Sequence, residues 1–480
     1  MDEKRLKGVG RKLLVAIYCL LLFQFTYPLT AAYASTLAAV PSVVFDFEQH
    51  IPFIPWMILP YMSSGLFFCI IPFYCRQEGQ LLRYAKRFAF ITLFAALCFL
   101  LFPLRFSFER PIVENHLLAI FFSFLKQYDS PFNQAPSLHV AYACLFWSVL
   151  RGQFSGWKKR ALAVWLLLLG VGTLTVYQHH VIDVLTALIL VQVSFMLFPN
   201  REEIGNHQQR GSGGKFGPLN ASDDESKNRK QTQSALMSGR KETKRNLQLA
   251  NSYYLIGWLC VLVALCCERN VLPVIVCAWV AFVCFAVGYN YQRGNVLFLK
   301  DRSGKIPLIK KVFYAPYQFA YWLIWRFFSK RNNPPMMELL PRCYVGPRLK
   351  TSELVALGLD RNLVVFDLAA ELEEVKLLGS MQKYHSFPLL DIAEIDVQDA
   401  RVIVAALVSA YRALEEPENM IIHCTMGYSR SMIFAVLMIQ ELLSLDLNKA
   451  IDRVRSINRH LRLHDHAIRL MKIIDGGKQG

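Results

Sequence analysis

The chain has no Cys-x-x-Cys pair anywhere in its 480 residues. Its 12 cysteines follow no repeated short spacing, and many lie inside apolar runs. Such cysteines read as small buried hydrophobes, which argues against a disulfide framework and against a thiolate metal site; no metal or cofactor is expected. Acidic residues are also scarce: 36 Asp and Glu stand against 53 Lys and Arg, a formal net charge of +17. A surplus of that size can mark a nucleic-acid binder. Here, however, the basic residues gather where apolar runs end, which is where membrane topology uses them, so no nucleic-acid partner is expected. What the chain has instead is apolar length. Six or more runs approach or exceed the roughly 20 residues that cross a bilayer. With a mean hydropathy of +0.29 and 34 Phe, this excludes an ordinary soluble globular class.

The runs predict spans near residues 12–30, 53–74, 88–104, 137–151, 160–177 and 180–198, then 251–268 and 272–289 across the short turn CERNVL. Basic clusters fill the N-terminus (Lys4, Arg5, Lys7, Arg11, Lys12), the loop with Arg76, Arg83, Lys86 and Arg87, and the turn with Arg151, Lys158, Lys159 and Arg160. The polar stretch 200–249 and the segment after the eighth span are basic too. An even number of spans separates each cluster from the others, so all can lie in the cytoplasm. The basic start, apolar run and AAYAS at 31–35 also resemble a signal peptide, although the run is long for one; an uncleaved span is expected.

The expected organisation is a six-span membrane domain (1–198), a disordered polar cytoplasmic linker (199–249), two further transmembrane helices (250–290), a basic, amphipathic membrane-proximal segment (291–340) and a soluble domain (341–480). The linker reading rests on RGSGGK and SDDESKNRK and on a near absence of aromatics. Within the fourth segment, LIKKVFYAPYQFAYWLIWRFFS (308–329) mixes aromatics with sparse Lys and Arg, which fits a helix lying in the headgroup layer. A ninth span there would carry the C-terminal region across the membrane.

In the soluble region, RNLVVFDLAAELEE (361–374) is a strand-like run ending in an acidic turn. ENMIIHCTMGYSRSMIFAVLMIQELL (418–443) reads as strand, tight loop and long helix. Cys424 sits between strand and helix, with Arg430 six residues on. That placement puts the backbone N–H groups of Thr425, Met426, Gly427, Tyr428 and Ser429 around an anion at a helix N-terminus. Arg430 can add a bidentate clamp on two phosphate oxygens, and the same field favours a thiolate nucleophile. Ser431 is placed to donate to the sulfur. Thiolate attack on phosphorus needs a proton donor for the leaving oxygen. YHSFPLLDIAEID offers Asp391, Glu394 and Asp396; the apolar lead-in FPLLD favours Asp391, with Asp396 second.

HCTMGYSRS (423–431) is similar to the signature of protein tyrosine and dual-specificity phosphatases, His-Cys, five residues, Arg, then Ser or Thr. CYVGPRL (343–349), VVFDL (364–368) and FPLLD (387–391) resemble the opening strand, second strand and general-acid loop of the dual-specificity branch, so the likeness spans about 341–476. It implies an α/β cysteine-phosphatase fold, a phosphocysteine intermediate, and a His423 that tunes the thiol. The loop interior TMGYS has no Lys, Arg or His, which points away from highly phosphorylated inositol lipids and leaves a phosphoprotein or a singly phosphorylated lipid.

The membrane half carries a second set. NQAPSLHVAYA (133–143) opens the fourth span with a polar turn and His139; VYQHHVIDVL (176–185) opens the sixth with His179 and Asp183, four apart and so on one helix face. The orientation puts both on the non-cytoplasmic side, together with Arg105 and Arg110. Ionisable residues meeting at one membrane depth read as a site. His179 would attack phosphorus, oriented by Asp183, His139 would protonate the leaving group, and an Arg would hold phosphoryl oxygens; His180 is the alternative nucleophile. These stretches resemble the PAP2 superfamily of lipid phosphatases and phosphotransferases over about 50–198. Against that pattern, Leu138 replaces a glycine, Gly172-Thr173 replaces Ser-Arg, and RFSFERP (105–111) keeps Arg110-Pro111 without the earlier Lys. Such gaps resemble the inositol-phosphorylceramide-synthase-like branch, which implies water or an alcohol as acceptor. Joined, the two likenesses resemble bacterial membrane PAP2/dual-specificity phosphatase fusions. They imply a multi-pass all-α membrane domain, a PAP2-like bundle plus two extra spans, followed by a cytosolic α/β phosphatase domain. The location implied is the bacterial inner membrane, with phosphorylated membrane lipids and phosphoproteins as candidate substrates.

Overall fold

A computed structural model of the chain describes residues 3–199, 244–267, 270–301, 303–328, 335–359, 361–458 and 461–476. Most of the expected linker, 200–243, lies outside the described residues. The chain divides into two units, Met1–Glu202 with Asn251–Phe282, and Glu203–Ala250 with Val283–Gly480.

The first unit is helical: α1 (Glu3–Ser35), α2 (Ile58–Tyr74), α3 (Glu78–Leu101), α4 (His116–Tyr128), α5 (Leu138–Leu150), α6 (Gly156–Thr175) and α7 (Val181–Leu197). Two further helices, α8 (Lys244–Cys266) and α9 (Val271–Gln292), are each divided between the two units, at Asn251 and at Val283. Among the described residues, five stretches are long and apolar enough to cross a membrane: Gly8–Ser35, Pro55–Tyr74, Glu78–Leu101, Arg245–Cys266 and Val271–Gln292. Outward side chains such as Leu21, Phe25 and Leu66 are exposed, as a lipid-facing surface requires. The expected span at 160–177 is a helix that opens with Lys158, Lys159 and Arg160, while α5 and α7 have only 13 and 17 residues. These three helices therefore fall short of the length or composition of a simple span. Two boundaries differ from expectation. The amphipathic helix α4 is an addition, and α8 begins at Lys244, inside the stretch expected to be linker.

The interior of this unit is aromatic. Phe88 stacks on Tyr142 at a centroid distance of 4.8 Å, and the Tyr142 hydroxyl meets Thr92 Oγ1 at 2.8 Å. Helix α6 approaches the start of α2 closely: a Cβ at Gly172 would stand 3.2 Å from the Met57 carbonyl. A side chain at position 172 would press on that backbone, so the close approach favours glycine.

The second unit carries α10 (Leu308–Phe313), α11 (Ala315–Phe328), and a five-stranded sheet in the order β1-β2-β5-β3-β4. The strands are β1 (Met337–Leu340), β2 (Cys343–Pro347), β3 (Leu363–Ala369), β4 (Lys383–Leu389) and β5 (Asn419–Cys424). All neighbours are parallel except the β1–β2 pair. Strand β3 is buried at every position, as a central strand covered on both faces must be. Two short helices, α12 (Thr351–Ala356) and α13 (Lys376–Gly379), lie in the β2–β3 and β3–β4 connections. Helices α14 (Val397–Arg412), α15 (Arg430–Leu442), α16 (Leu447–Ile457) and α17 (Asp465–Gly476) contribute to the main core, with α15 buried from Arg430 to Gln440. This is a mixed α/β fold, a largely parallel sheet flanked by helices. Lys300, upstream of the sheet, is fully buried against it: Nζ donates to Asp367 Oδ2 and to the Ala369 carbonyl, each at 2.6 Å.

Candidate active sites in the two units

Strand β5 is central, and its last residue is Cys424; Arg430 opens α15. The loop between them sits at the carboxyl end of parallel strands and at a helix N-terminus, where backbone N–H groups point at an anion. Gly427 turns it with φ +75°, and a Cβ there would lie 2.4 Å from the Pro347 nitrogen, so the turn admits only glycine. The Gly427 N–H donates to Cys424 Sγ at 3.3 Å, and Ser431 Oγ lies 3.4 Å from the same sulfur. The thiol is buried.

Arg430 is fixed from three sides. Its Nη1 donates to Glu371 Oε1 and Oε2 at 2.8 and 3.0 Å and to the Leu389 carbonyl at 2.7 Å; Nη2 lies 3.1 Å from Asp391 Oδ1. Thr425 Oγ1 also donates to Glu371, at 2.8 Å. Burial opposes the guanidinium charge, but Glu371 and Asp391 outweigh it and hold Arg430 protonated far above its ordinary range. Glu371 lies in the acidic turn after β3, where no local spacing marks it out from Glu373 and Glu374, and it is fully buried beneath the loop.

Of the three candidate acids, only Asp391 reaches this cluster. Asp396, the second candidate, N-caps α14, accepting from the N–H groups of Gln398 and Asp399 at 2.8 and 3.4 Å. Glu394 is exposed. His423 is buried with Nε2 3.4 Å from Glu374 Oε2. Asp367, Glu374 and His423 bring their ligand atoms within 4.8 Å of one another, but the cation in this cluster is the Lys300 ammonium. Burial alone would raise the Asp367 carboxyl; Lys300, His423 and the Tyr384 hydroxyl bring it down to about 2.

In the helical unit, the Ser137 N–H donates to the Asp183 carbonyl at 2.9 Å, which ties the start of α5 to the start of α7. This brings His139 and His179 together, with ring centroids 6.1 Å apart. His179 Nδ1 is 3.2 Å from Asp183 Oδ2, leaving Nε2 on the far side of the ring. His139 stacks on Tyr61 (centroids 4.2 Å), and the Tyr61 hydroxyl lies 3.4 Å from His139 Nδ1 and donates to Asp129 Oδ2 at 2.8 Å. Asp129 further accepts from Tyr27 at 2.6 Å and from Gln178 Nε2 at 2.9 Å. Arg110 donates to Gln178 Oε1 and to the carbonyls of Val176 and Tyr177, whereas Arg105 is exposed. The structure therefore joins Arg110, and not Arg105, to the histidine cluster. A cavity of about 810 Å³ is lined by Arg110, Asp129, Gln178 and neighbouring aromatics; neither His139 nor His179 lines it.

His180, the alternative nucleophile, has both ring nitrogens engaged. Nδ1 is 2.9 Å from Glu48 Oε2, and Nε2 lies 3.1 Å from Ser107 Oγ. Glu48, Tyr61, Asp129 and Gln178 were not singled out in the sequence. Their partners lie 49 to 132 residues away in the chain, and no local spacing announces them.

No family model matches the chain, and no curated protein matches it. Solved structures do match. Human DUSP28 is 15% identical, covering 31% of this chain and 97% of its own, with a TM-score of 0.25. The human tyrosine phosphatase-like serine/threonine/tyrosine-interacting protein is 15% identical over 30% of this chain and 98% of its own, TM-score 0.26. Tk-PTP in its active form is 19% identical over 30% and 97%, TM-score 0.27. All three are phosphatase or phosphatase-like proteins by name.

Proposed function

We propose that the chain is a membrane-bound protein with two phosphoryl-transfer centres, of which the C-terminal one is a cysteine phosphatase. The observation that carries this reading is the constellation around Cys424: a sulfur receiving Gly427 N–H and Ser431 Oγ, beside an Arg430 held by Glu371. Cys424 Sγ attacks the phosphorus of a monoester, and the S–P bond forms as the P–O bond to the leaving group breaks. Arg430 and the N–H groups of Thr425 to Ser429 hold the phosphoryl oxygens, and Asp391 gives its proton to the leaving oxygen. Water then attacks phosphorus, Asp391 takes up its proton, and the P–S bond breaks with the Ser431 hydroxyl donating to the departing sulfur. Inorganic phosphate leaves. His423, behind the loop, tunes the thiol and takes no part as an acid.

Asp391→Asn is expected to slow hydrolysis of an alkyl phosphomonoester by about 10²- to 10³-fold, and to leave an aryl phosphate with a good leaving group nearly unaffected. Equal losses on both substrates would remove Asp391 from the role of acid. Glu371 acts through Arg430 and is a positioning residue. Glu371→Gln lowers kcat/KM by about tenfold to a hundredfold, the worth of roughly 1.5–3 kcal/mol in charged hydrogen bonds. Competitive inhibition by orthovanadate should weaken in parallel, since both depend on the clamp; an unchanged vanadate affinity would contradict the assignment.

The second centre lies in the helical unit and is read as PAP2-type, facing the non-cytoplasmic side. The Asp183 contact supports Nδ1 of His179 as the donor, so Nε2 attacks phosphorus; His139 protonates the leaving oxygen, and Arg110 holds phosphoryl oxygens. Substrates there are phosphorylated membrane lipids. Transfer of a phosphoryl headgroup to an alcohol is the second reading. The cavity of about 810 Å³ stops short of the two histidines but is lined by Arg110 and Gln178, so it offers an acceptor room beside the arginine that holds the phosphoryl group. Product analysis with and without an added lipid alcohol separates it from hydrolysis. The location that fits is a bacterial inner membrane, with the N-terminus and the Cys424 domain in the cytoplasm.

A further inference from the structure

Helix α11 has two unlike faces. On one, Tyr317, Tyr321, Trp325 and Phe328 recur at helical spacing, and this face is built into the Cys424 cleft. The Tyr321 hydroxyl donates to Asp391 Oδ2 at 3.4 Å. Trp325 Nε1 donates to the Arg348 carbonyl at 2.8 Å, and the Arg348 N–H meets the Thr425 carbonyl at 3.4 Å. The Phe328 ring meets the Tyr428 ring edge-on, with centroids 6.2 Å apart. One helix thus touches the proton donor and the phosphate-binding loop.

The other face turns outward and is apolar. Phe319, Trp322 and Phe327 are 61%, 44% and 67% exposed, and on α10 Leu308, Ile309 and Val312 are 76%, 84% and 62% exposed. A contiguous apolar surface of this kind marks an interaction site. The charges that the two helices themselves contribute are of one sign: Lys310, Lys311 and Arg326 lie within them, and no Asp or Glu occurs in sequence between Asp301 and Glu338. Lys311 is paired with Glu373, while Lys310 and Arg326 flank the apolar face. Exposed aromatic and aliphatic side chains with a surplus of basic residues suit an anionic headgroup layer. Only residues 293–307 separate α10 from the long apolar helix Val271–Gln292. Even fully extended, that connection spans at most roughly 50 Å, so the surface cannot travel far from the bilayer.

Resting on the reading of Cys424 as nucleophile, we propose that α10 and α11 are a membrane-docking wall of the cleft, and that its substrates are singly phosphorylated lipids taken from the headgroup layer. Docking the outward face presents the mouth of the cleft to phosphomonoesters in the plane of the membrane, and Tyr321 couples that wall to Asp391. Arg430 is the one cation of the loop 424–430, which matches a single phosphomonoester dianion.

The test uses the full-length chain carrying His179→Ala, which silences the second centre, in vesicles of phosphatidylcholine with phosphatidylglycerol and some phosphatidate. It is compared with the same chain carrying Phe319→Ser, Trp322→Ser and Phe327→Ser, all outside the catalytic machinery. Cys424-dependent phosphate release from phosphatidate should fall by about tenfold or more, while hydrolysis of a water-soluble aryl phosphate stays unchanged. Equal rates on phosphatidate overturn the docking role. Release from a phosphotyrosine peptide with none from the lipid overturns the substrate class. Absence of Cys424-dependent aryl phosphate hydrolysis in the parent would instead overturn the assignment of Cys424. Should the triple variant lose both activities, bromine-labelled lipids decide: they should quench the emission lost on Trp322→Phe, and a failure to quench it overturns the proposal.

Discussion

Cys424→Ser in the full-length chain abolishes hydrolysis of a soluble aryl phosphomonoester, lowering kcat/KM by at least about 10⁴-fold. The effect is this large because the other parts of the loop only position and stabilise charge; none can form the covalent intermediate. Serine fits the space, and the Gly427 N–H and Ser431 contacts to the sulfur can be made to an oxygen, so folding and anion binding survive. The variant should therefore still bind orthovanadate and retain phosphorylated substrate. Residual turnover within about tenfold of the parent would mean that a different group attacks phosphorus.

The second large effect is expected in the membrane. His179→Ala removes the ring that Asp183 orients and lowers phosphatidate turnover at that centre by at least about 10³-fold, measured in the Cys424→Ser background. Asp183→Asn should cost less, because the backbone N–H of His180 also donates to the same carboxylate oxygen, at 2.9 Å, and an amide oxygen there can still hold the turn. The imidazole would lose its fixed tautomer. His180→Ala is a useful contrast. Its ring is locked between Glu48 and Ser107, so its loss should affect folding yield more than the rate per folded molecule. The reverse order, His180 essential and His179 dispensable, would exchange their roles.

Much of the C-terminal site was legible because it is local. A strand ending at Cys424 and a helix starting at Arg430 follow from an apolar run, a tight loop and helical periodicity within about two dozen residues. Asp391 could be favoured over its neighbours from the apolar residues that seat it. Asp396 illustrates the limit of that reasoning: an acid near a site and an acid capping the next helix look alike until the helix start is known. Glu371 illustrates another. In sequence it is one of several acids in a turn, and only the fold places it under Arg430, 59 residues away. In the membrane half, the pairing of His179 with Asp183 was readable from a spacing of four. The aromatic and acidic surround of His139 was not, since Tyr61 and Asp129 arrive from other helices. Helix α4 is amphipathic and carries Lys126 and Gln127 in its last turn, so it lacks the uniformly apolar run that makes the equally short α5 legible as membrane-embedded.

The central claim is that one chain holds two independent phosphoryl-transfer centres. The most direct measurement is phosphate release in detergent micelles from phosphatidate, phosphatidylglycerophosphate and a phosphotyrosine peptide, by the wild type, Cys424→Ser, His179→Ala and the double variant. The account predicts that each single variant loses a separable part of the activity and that the double variant loses all of it. Complete loss in Cys424→Ser with no change in His179→Ala, when no alcohol acceptor is added and when one is, would contradict it and leave the helical unit without an enzymatic role.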